Sequence, residues 1–338
     1  MKIFMNELTM KFHFRLLYYL TPLLIFDYSI YAQTETHPSR PAYTISEKDA
    51  HLECITYDPK GHNFFLGSVH KRKIIKIDSK GNVSDFVAEM QDSLYAVIGL
   101  QVDGRRNVLW VCCSALPEMK GYSANDKGKV AVLKLDLQTG RLLKKYMPYD
   151  NERHILGEPI VAGNGDVYIS DSGVPNIYRI GKGDTLELLL RAKAKSLQGI
   201  AFSKNDNILF YSDYSSGLYK CNVKTKDISK LLMPDTFEIK GADGLYYYNN
   251  SLVAIQNGVT PAMICQYTLN KEQTRIISRK ILEKGHPAFN EPTLGTIVKD
   301  TLYYIANSQW SGYDDNHQIL PLDRLQEIKV LKLPLSRP

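Results

Sequence analysis

Hydrophobic and polar positions along this chain fall into short runs that keep the period of a β-strand. Six segments share one grammar: a polar or small residue, an apolar strand, a turn, then a second apolar strand ending in small polar residues. They read ECITYDPKGHNFFLGSVH (53–70), GLQVDGRRNVLWVCCS (99–114) and EPIVAGNGDVYISDS (158–172), then QGIAFSKNDNILFYSDY (198–214), DGLYYYNNSLVAIQNG (243–258) and EPTLGTIVKDTLYYIANS (291–308). Their openings lie 46, 59, 40, 45 and 48 residues apart, the span that four short strands and their turns require. A third alternating strand follows each segment, usually with a fourth, as in KIIKID (73–78) and VSDFVAE (83–89) after the first. Between the strands, DPKG, SKGN, GNGD, KND and YNNS supply the Gly, Asn and Asp of tight hairpins. No segment keeps a helical period over a useful length.

The pattern predicts an all-β protein, a six-bladed β-propeller over residues 51–338. A pair of β-sandwiches is the rival, but sandwiches lack a constant repeat. The sixth blade has an evident third strand, EIKVLKLPL (327–335), after which the chain stops. A ring loses its exposed edges when the last blade borrows a strand from the other terminus. The N-terminal segment 33–50, through PAYTISEKD (41–49), is the expected donor of that closing strand.

Composition sharpens this picture in three places. Among aromatics there are 22 Tyr against 11 Phe and 2 Trp, a bias that suits half-buried strands. The formal net charge of +6 is scattered through turns such as VKTKD (223–227) rather than gathered on one face, which argues against nucleic acid. Five cysteines (54, 112, 113, 221, 265) show no CxxC or Cys/His zinc spacing. They read as buried small hydrophobes, with one disulfide as the alternative. Cys112 and Cys113 are neighbours in a strand and should face opposite ways.

Residues 1–32 read as a secretory signal peptide. Lys2, Lys11 and Arg15 precede the apolar run LLYYLTPLLIF (16–26), and Ala32 offers a small residue at the cut. The true start is Met1 or Met10. A membrane anchor is the alternative, although 11 apolar residues fall short of a span. The mature chain is expected to be secreted or periplasmic, soluble and monomeric, with no membrane partner after cleavage.

In a propeller the innermost strands line a central channel, so their openings converge at one mouth. Here these are Glu53, Gly99, Glu158, Gln198, Asp243 and either Glu291 or Thr293; Thr293 precedes Asn307 by the interval separating Asp243 from Asn257. Three carboxylates and an amide around a narrow mouth suit a hard divalent cation, Ca²⁺ before Mg²⁺; alternatively they cap turns. The ends of the second strands form a second ring: Ser68, His70, Cys113, Ser114, Asp171, Ser172, Asp213, Tyr214, Asn257, Asn307 and Ser308. His70, His154 and His286 are possible proton carriers. GxSxG, HExxH, phosphate-loop and dinucleotide-binding patterns are absent.

With Glu53, LQGIAFSKNDNILFYSD (197–213) and GADGLYYYNNSLVAIQNG (241–258), nearly all of the chain after the signal peptide resembles the senescence-marker-protein, gluconolactonase and luciferin-regenerating-enzyme family of six-bladed propellers, as a divergent bacterial member. Paraoxonases and strictosidine-synthase-like proteins are more distantly similar. The resemblance implies one divalent cation, usually calcium, at the channel mouth, with Glu53 and Asp243 as ligands by position. The family's Asn in the middle blade is replaced by Gln198, and another near the third-blade opening by Glu158. It further implies a metal-dependent hydrolase of a lactone or related ester, with Glu53, Glu158, Gln198 and Asp243 around the ion and Asp243 or a nearby group activating water. The alternatives are a non-catalytic propeller holding a small ligand or partner at the same mouth, and an interaction module without metal. Fold alone does not choose among them.

Overall fold

The structure is a computed structural model that describes residues 37–335 apart from residue 236. The signal peptide expected over 1–32 lies outside the described residues. Among the described residues, twenty-four strands form six four-stranded antiparallel sheets. Their innermost strands are Leu52–Asp58, Ala96–Asp103, Leu156–Val161, Leu197–Phe202, Ala242–Tyr248 and Gly295–Val298. Each packs against the innermost strand of the next blade, and the sixth packs against the first. The chain is therefore a closed six-bladed β-propeller. Among the described residues no helix is long and apolar enough to cross a membrane.

The first five blades are simple meanders, each strand pairing with its successor. In the sixth, Gly295–Val298, Thr301–Ile305 and Ile328–Pro334 are joined by Arg40–Ile45 as the outermost strand. Arg40 pairs with Lys332 and Ile45 with Ile328. Ser39, just before this strand, bonds to Tyr304 Oη at 2.9 Å and donates its backbone N–H to Glu283 Oε2 at 2.9 Å. A pairing between the two ends of the chain thus ties the ring shut.

The core lies between blades rather than in one centre. Six apolar clusters occupy the six inter-blade spaces: for example Cys54, Phe65, Val97, Leu109 and Cys113 between the first and second blades, and Ile45, Leu52, Phe64, Ile305 and Val330 between the sixth and first. Strand alternation makes this possible, because each blade offers an apolar face to both neighbours. Cys113 enters the cluster between the first two blades and Cys112 the cluster between the second and third. All five cysteines are buried and unpaired.

Candidate functional site

Five innermost strands share a defect at the same place. The register against the second strand shifts between Leu52 and Cys54, Val97 and Gly99, Leu156 and Pro159, Leu197 and Ile200, and Ala242 and Leu245. A bulge leaves a residue outside the ladder and re-aims its side chain. Glu53, Ile98, Gln198 and Asp243 follow the last paired residue of their strands. Two glycines permit the close packing of these bulges. A Cβ on Gly99 would lie 2.3 Å from Gly157 O, and one on Gly199 would lie 2.5 Å from Asp243 O.

Glu53 is the centre of the site. It is 7% exposed. Its Oε2 accepts hydrogen bonds from Ser308 Oγ at 2.6 Å and from the Trp310 indole N–H at 3.0 Å. Oε1 lies 3.0 Å from Thr293 Oγ1, and that same hydroxyl lies 3.1 Å from Asp243 Oδ2. The Asn257 amide also donates to Asp243 Oδ2, at 2.8 Å, and Tyr214 Oη donates to Asn257 Oδ1 at 2.8 Å. One hydroxyl proton thus serves two carboxyl groups. A proton on either carboxyl, given back to the hydroxyl, completes the bridge and removes the repulsion between like charges. Burial first, and the nearby Asp243 second, push Glu53 up to about 8. Burial likewise raises Asp243, opposed by its bonds from Asn257 and Thr293.

Behind Glu53 stands an aromatic wall. Trp310 opens the short 3-10 turn Trp310–Gly312 and meets the His51 ring edge-on, with centroids 4.4 Å apart. His51 Nδ1 is 2.6 Å from Tyr313 Oη. Burial, then the nearby His70, lower His51 to about 3, so it is neutral at ordinary pH. Of the two openings considered for the sixth blade, Thr293 faces the site. Glu291 instead accepts the Ser311 N–H at 3.0 Å and anchors the loop carrying Trp310.

Glu158 stands elsewhere. Leu156 is the last paired residue before its bulge, so Gly157 takes the position of Glu53, Gln198 and Asp243. Glu158 is one residue further along, level with Gly199 and Gly244. There it lines a cavity of about 330 Å³ in the channel. Burial, then Asp243, hold its carboxyl well above the usual range, while the Ile200 N–H works the other way. Gln198 turns its amide away, Nε2 donating to Ser196 Oγ at 3.0 Å.

The four residues expected to hold a cation therefore do not assemble into one ligand set. Both Glu53 oxygens are engaged by neighbours, Gln198 is bonded to Ser196, and Glu158 is displaced along its strand. A hard cation such as Ca²⁺ takes six to eight oxygens at about 2.3–2.6 Å. Among the described residues no three His, Cys, Asp or Glu side chains group closely enough to hold a metal ion. The arrangement fits a proton-sharing carboxyl pair better than an ion cage.

Most of the second ring braces loops. Ser114 Oγ accepts the Leu156 N–H at 2.9 Å, Asp171 Oδ1 that of Ile155 at 2.9 Å, and Asp213 Oδ1 that of Ser196 at 3.1 Å. Each ties the end of a second strand to the entry of an innermost strand. Asn257, Tyr214 and Ser308 alone join the carboxyl cluster. His70 bonds to the Glu118 carbonyl and His154 lies between Asp171 and Asp150. His286 Nδ1 accepts the Ala288 N–H at 3.0 Å, and burial lowers its pKa. Trp310 was not foreseen; its one sequence signal is a tryptophan just beyond the second-strand end, in ANSQW.

The chain matches no family model and no curated protein. It is similar in structure to a gluconolactonase from Xanthomonas campestris (TM-score 0.60, 13% identity, 89% of this chain and 96% of that one). It is also similar to a luciferin-regenerating enzyme (TM-score 0.56, 13% identity, 87% and 92%) and to virginiamycin B lyase from Staphylococcus aureus (TM-score 0.57, 13% identity, 86% and 82%). The likeness is one of fold. These neighbours carry out different reactions on a common ring, so the site must speak for the chemistry.

Proposed function

We propose that this is an exported, gluconolactonase-like hydrolase of a small lactone or related ester, working at the Asp243 end of the channel. One observation carries the reading. Asp243 is held through a single oxygen by Asn257 and Thr293, and the hydroxyl of Thr293 connects it to a second buried carboxyl. A carboxylate raised by burial is a stronger base than one in water, and neighbouring carboxyls can divide acid and base roles between them.

In this reading Asp243 takes a proton from water as the water oxygen attacks the ester carbonyl. It returns that proton to the departing alkoxide oxygen as the acyl C–O bond breaks. Glu53 and Thr293 hold the neighbouring proton, so that Asp243 can ionise without facing a second full charge. Gln198, at the same level in the adjacent blade, brings an amide that can turn to the carbonyl oxygen. Trp310 and Ile98 give the mouth an apolar side, suited to an uncharged ring.

The test is turnover of a panel of lactones and aryl esters by the native chain and by Asp243→Asn. Native turnover reduced about 10²- to 10⁴-fold in the variant is the expected result. Undiminished turnover in Asp243→Asn removes this mechanism. Absence of turnover by the native chain across the panel leaves a propeller that binds at this mouth without catalysis.

A further inference from the structure

The channel has a second half that the carboxyl cluster does not use. The innermost strands begin at the mouth bearing Glu53 and Asp243, and the cavity of about 330 Å³ is lined by the residues that follow, to the strand ends and the hairpin residue Asp206. It therefore lies beyond the cluster, toward the opposite mouth. That volume is in the range of small-molecule sites. Its walls include Leu100, Ile160, Phe202, Leu245 and Ile297. Its charged lining residues are Glu158 and Asp206, both acidic, with no Lys, Arg or His among them.

Glu158 Oε1 is buried and has no hydrogen-bond partner within the protein. A buried carboxyl oxygen without a donor is costly. Nor does any lining side chain bring the positive charge that usually accompanies an interior carboxylate. We infer that this half of the channel binds a small organic ammonium, its nitrogen donating to the Glu158 carboxyl and its apolar body lying against Leu100, Ile160, Phe202 and Ile297. An ammonium supplies both things that Oε1 lacks, a donor and an opposite charge. A neutral alcohol supplies only the first, and an anion neither. The site is separate from the proposed hydrolytic one, and its occupant need not be a substrate.

The test is calorimetric titration of the purified chain with benzylammonium, benzyl alcohol and benzoate, which share a body and differ in charge. Ammonium binding at least about tenfold tighter than the alcohol is expected, with no benzoate binding. Glu158→Gln should remove the preference for ammonium while sparing alcohol binding. Thr296→Phe, which fills the cavity wall, should block both, and Asp243→Asn should keep the preference for ammonium over alcohol. Circular dichroism and melting establish that each variant folds. If Glu158→Gln does not fold, the ammonium-to-alcohol ratio of the native chain and the block by Thr296→Phe decide. Equal affinity for ammonium and alcohol, no binding of any probe, or loss in Asp243→Asn but not in Glu158→Gln would each overturn the assignment.

Discussion

Glu53 and Asp243, from the first and fifth blades, meet at the hydroxyl of Thr293 from the sixth, 3.0 Å from one carboxyl and 3.1 Å from the other. The residues are distant in sequence and become neighbours only because the sixth blade closes against the first. The site is thus a consequence of ring closure, and Thr293 is where closure and chemistry coincide. Thr293 is 1% exposed, so loss of its hydroxyl cannot be made good by bulk water.

Thr293→Val keeps the shape and removes the hydroxyl. Two buried carboxyl oxygens then each lose a partner, a change worth about 1–3 kcal/mol of stability. Denaturant unfolding should show that loss, and Thr293→Ser should restore most of it. Equal stability of the Val and Ser variants would show that the bridge contributes nothing.

A second prediction concerns the packing that sets the Asp243 bulge. A Cβ on Gly199 would come 2.5 Å from Asp243 O and 2.6 Å from Leu245 N. Both are backbone atoms and cannot swing aside as a side chain could. Gly199→Ala should therefore cost about 1–3 kcal/mol and displace Asp243, lowering any turnover with it. Gly183→Ala, whose added Cβ would meet nothing closer than 3.6 Å, is the matched control and should be close to neutral.

The repeat was legible in the sequence because strand alternation and hairpin residues recur in every blade. It brought Glu53, Gln198 and Asp243 to one level, since L-E, L-Q and A-D open their strands alike. It misplaced Glu158 because the third blade reads L-G-E-P where the fourth and fifth read L-Q-G-I and A-D-G-L. The order of glycine and polar residue is reversed, and which one leaves the ladder is decided by pairing that alternation does not reveal. Thr293 was legible as one of two openings through its interval to Asn307. Trp310 was not, because it lies in an irregular loop where periodicity carries no information. The direction of the Gln198 amide depends on Ser196, a neighbour that no repeat specifies.

His154 gives a pH prediction with a definite sign. It is 4% exposed, with Nδ1 2.6 Å from Asp171 Oδ2 and Nε2 2.6 Å from Asp150 Oδ1. A neutral imidazole has one N–H and cannot donate to both carboxylates, whereas the cation can. Burial lowers the pKa of this histidine, but its bonds to Asp171 and Asp150 overcome that and the net shift is upward from 6.5. A folded-state value above the unfolded one gives stabilisation that is full below pH 6.5 and is lost as pH rises through the folded value. His154→Gln should therefore be clearly less stable than the native chain in mildly acid solution, with the gap narrowing as the solution becomes alkaline. Unfolding curves of both proteins on each side of neutrality measure this, and a gap that widens with pH would contradict the assignment.

The last prediction concerns the cation that the family resemblance led us to expect. A site that binds calcium only in the folded state raises the melting temperature as free calcium exceeds the dissociation constant, and a chelator reverses the rise. Here the Glu53 oxygens already receive Ser308, Trp310 and the Thr293 hydroxyl. An ion at that carboxylate would compete with at least one of those bonds. Gln198 would have to leave Ser196, and Glu158 stands one residue further along its strand than Glu53, Gln198 and Asp243 do on theirs. Each rearrangement sacrifices a buried interaction before any metal–oxygen bond is gained. Melting in excess calcium and melting in chelator should therefore agree within about 1 °C, a difference below what about 1 kcal/mol of binding produces in a domain of this size. A calcium-dependent rise beyond that, abolished by Asp243→Asn but not by Thr296→Phe, would mean that the carboxyl cluster opens to admit an ion. The proton-sharing pair would then describe only the metal-free protein.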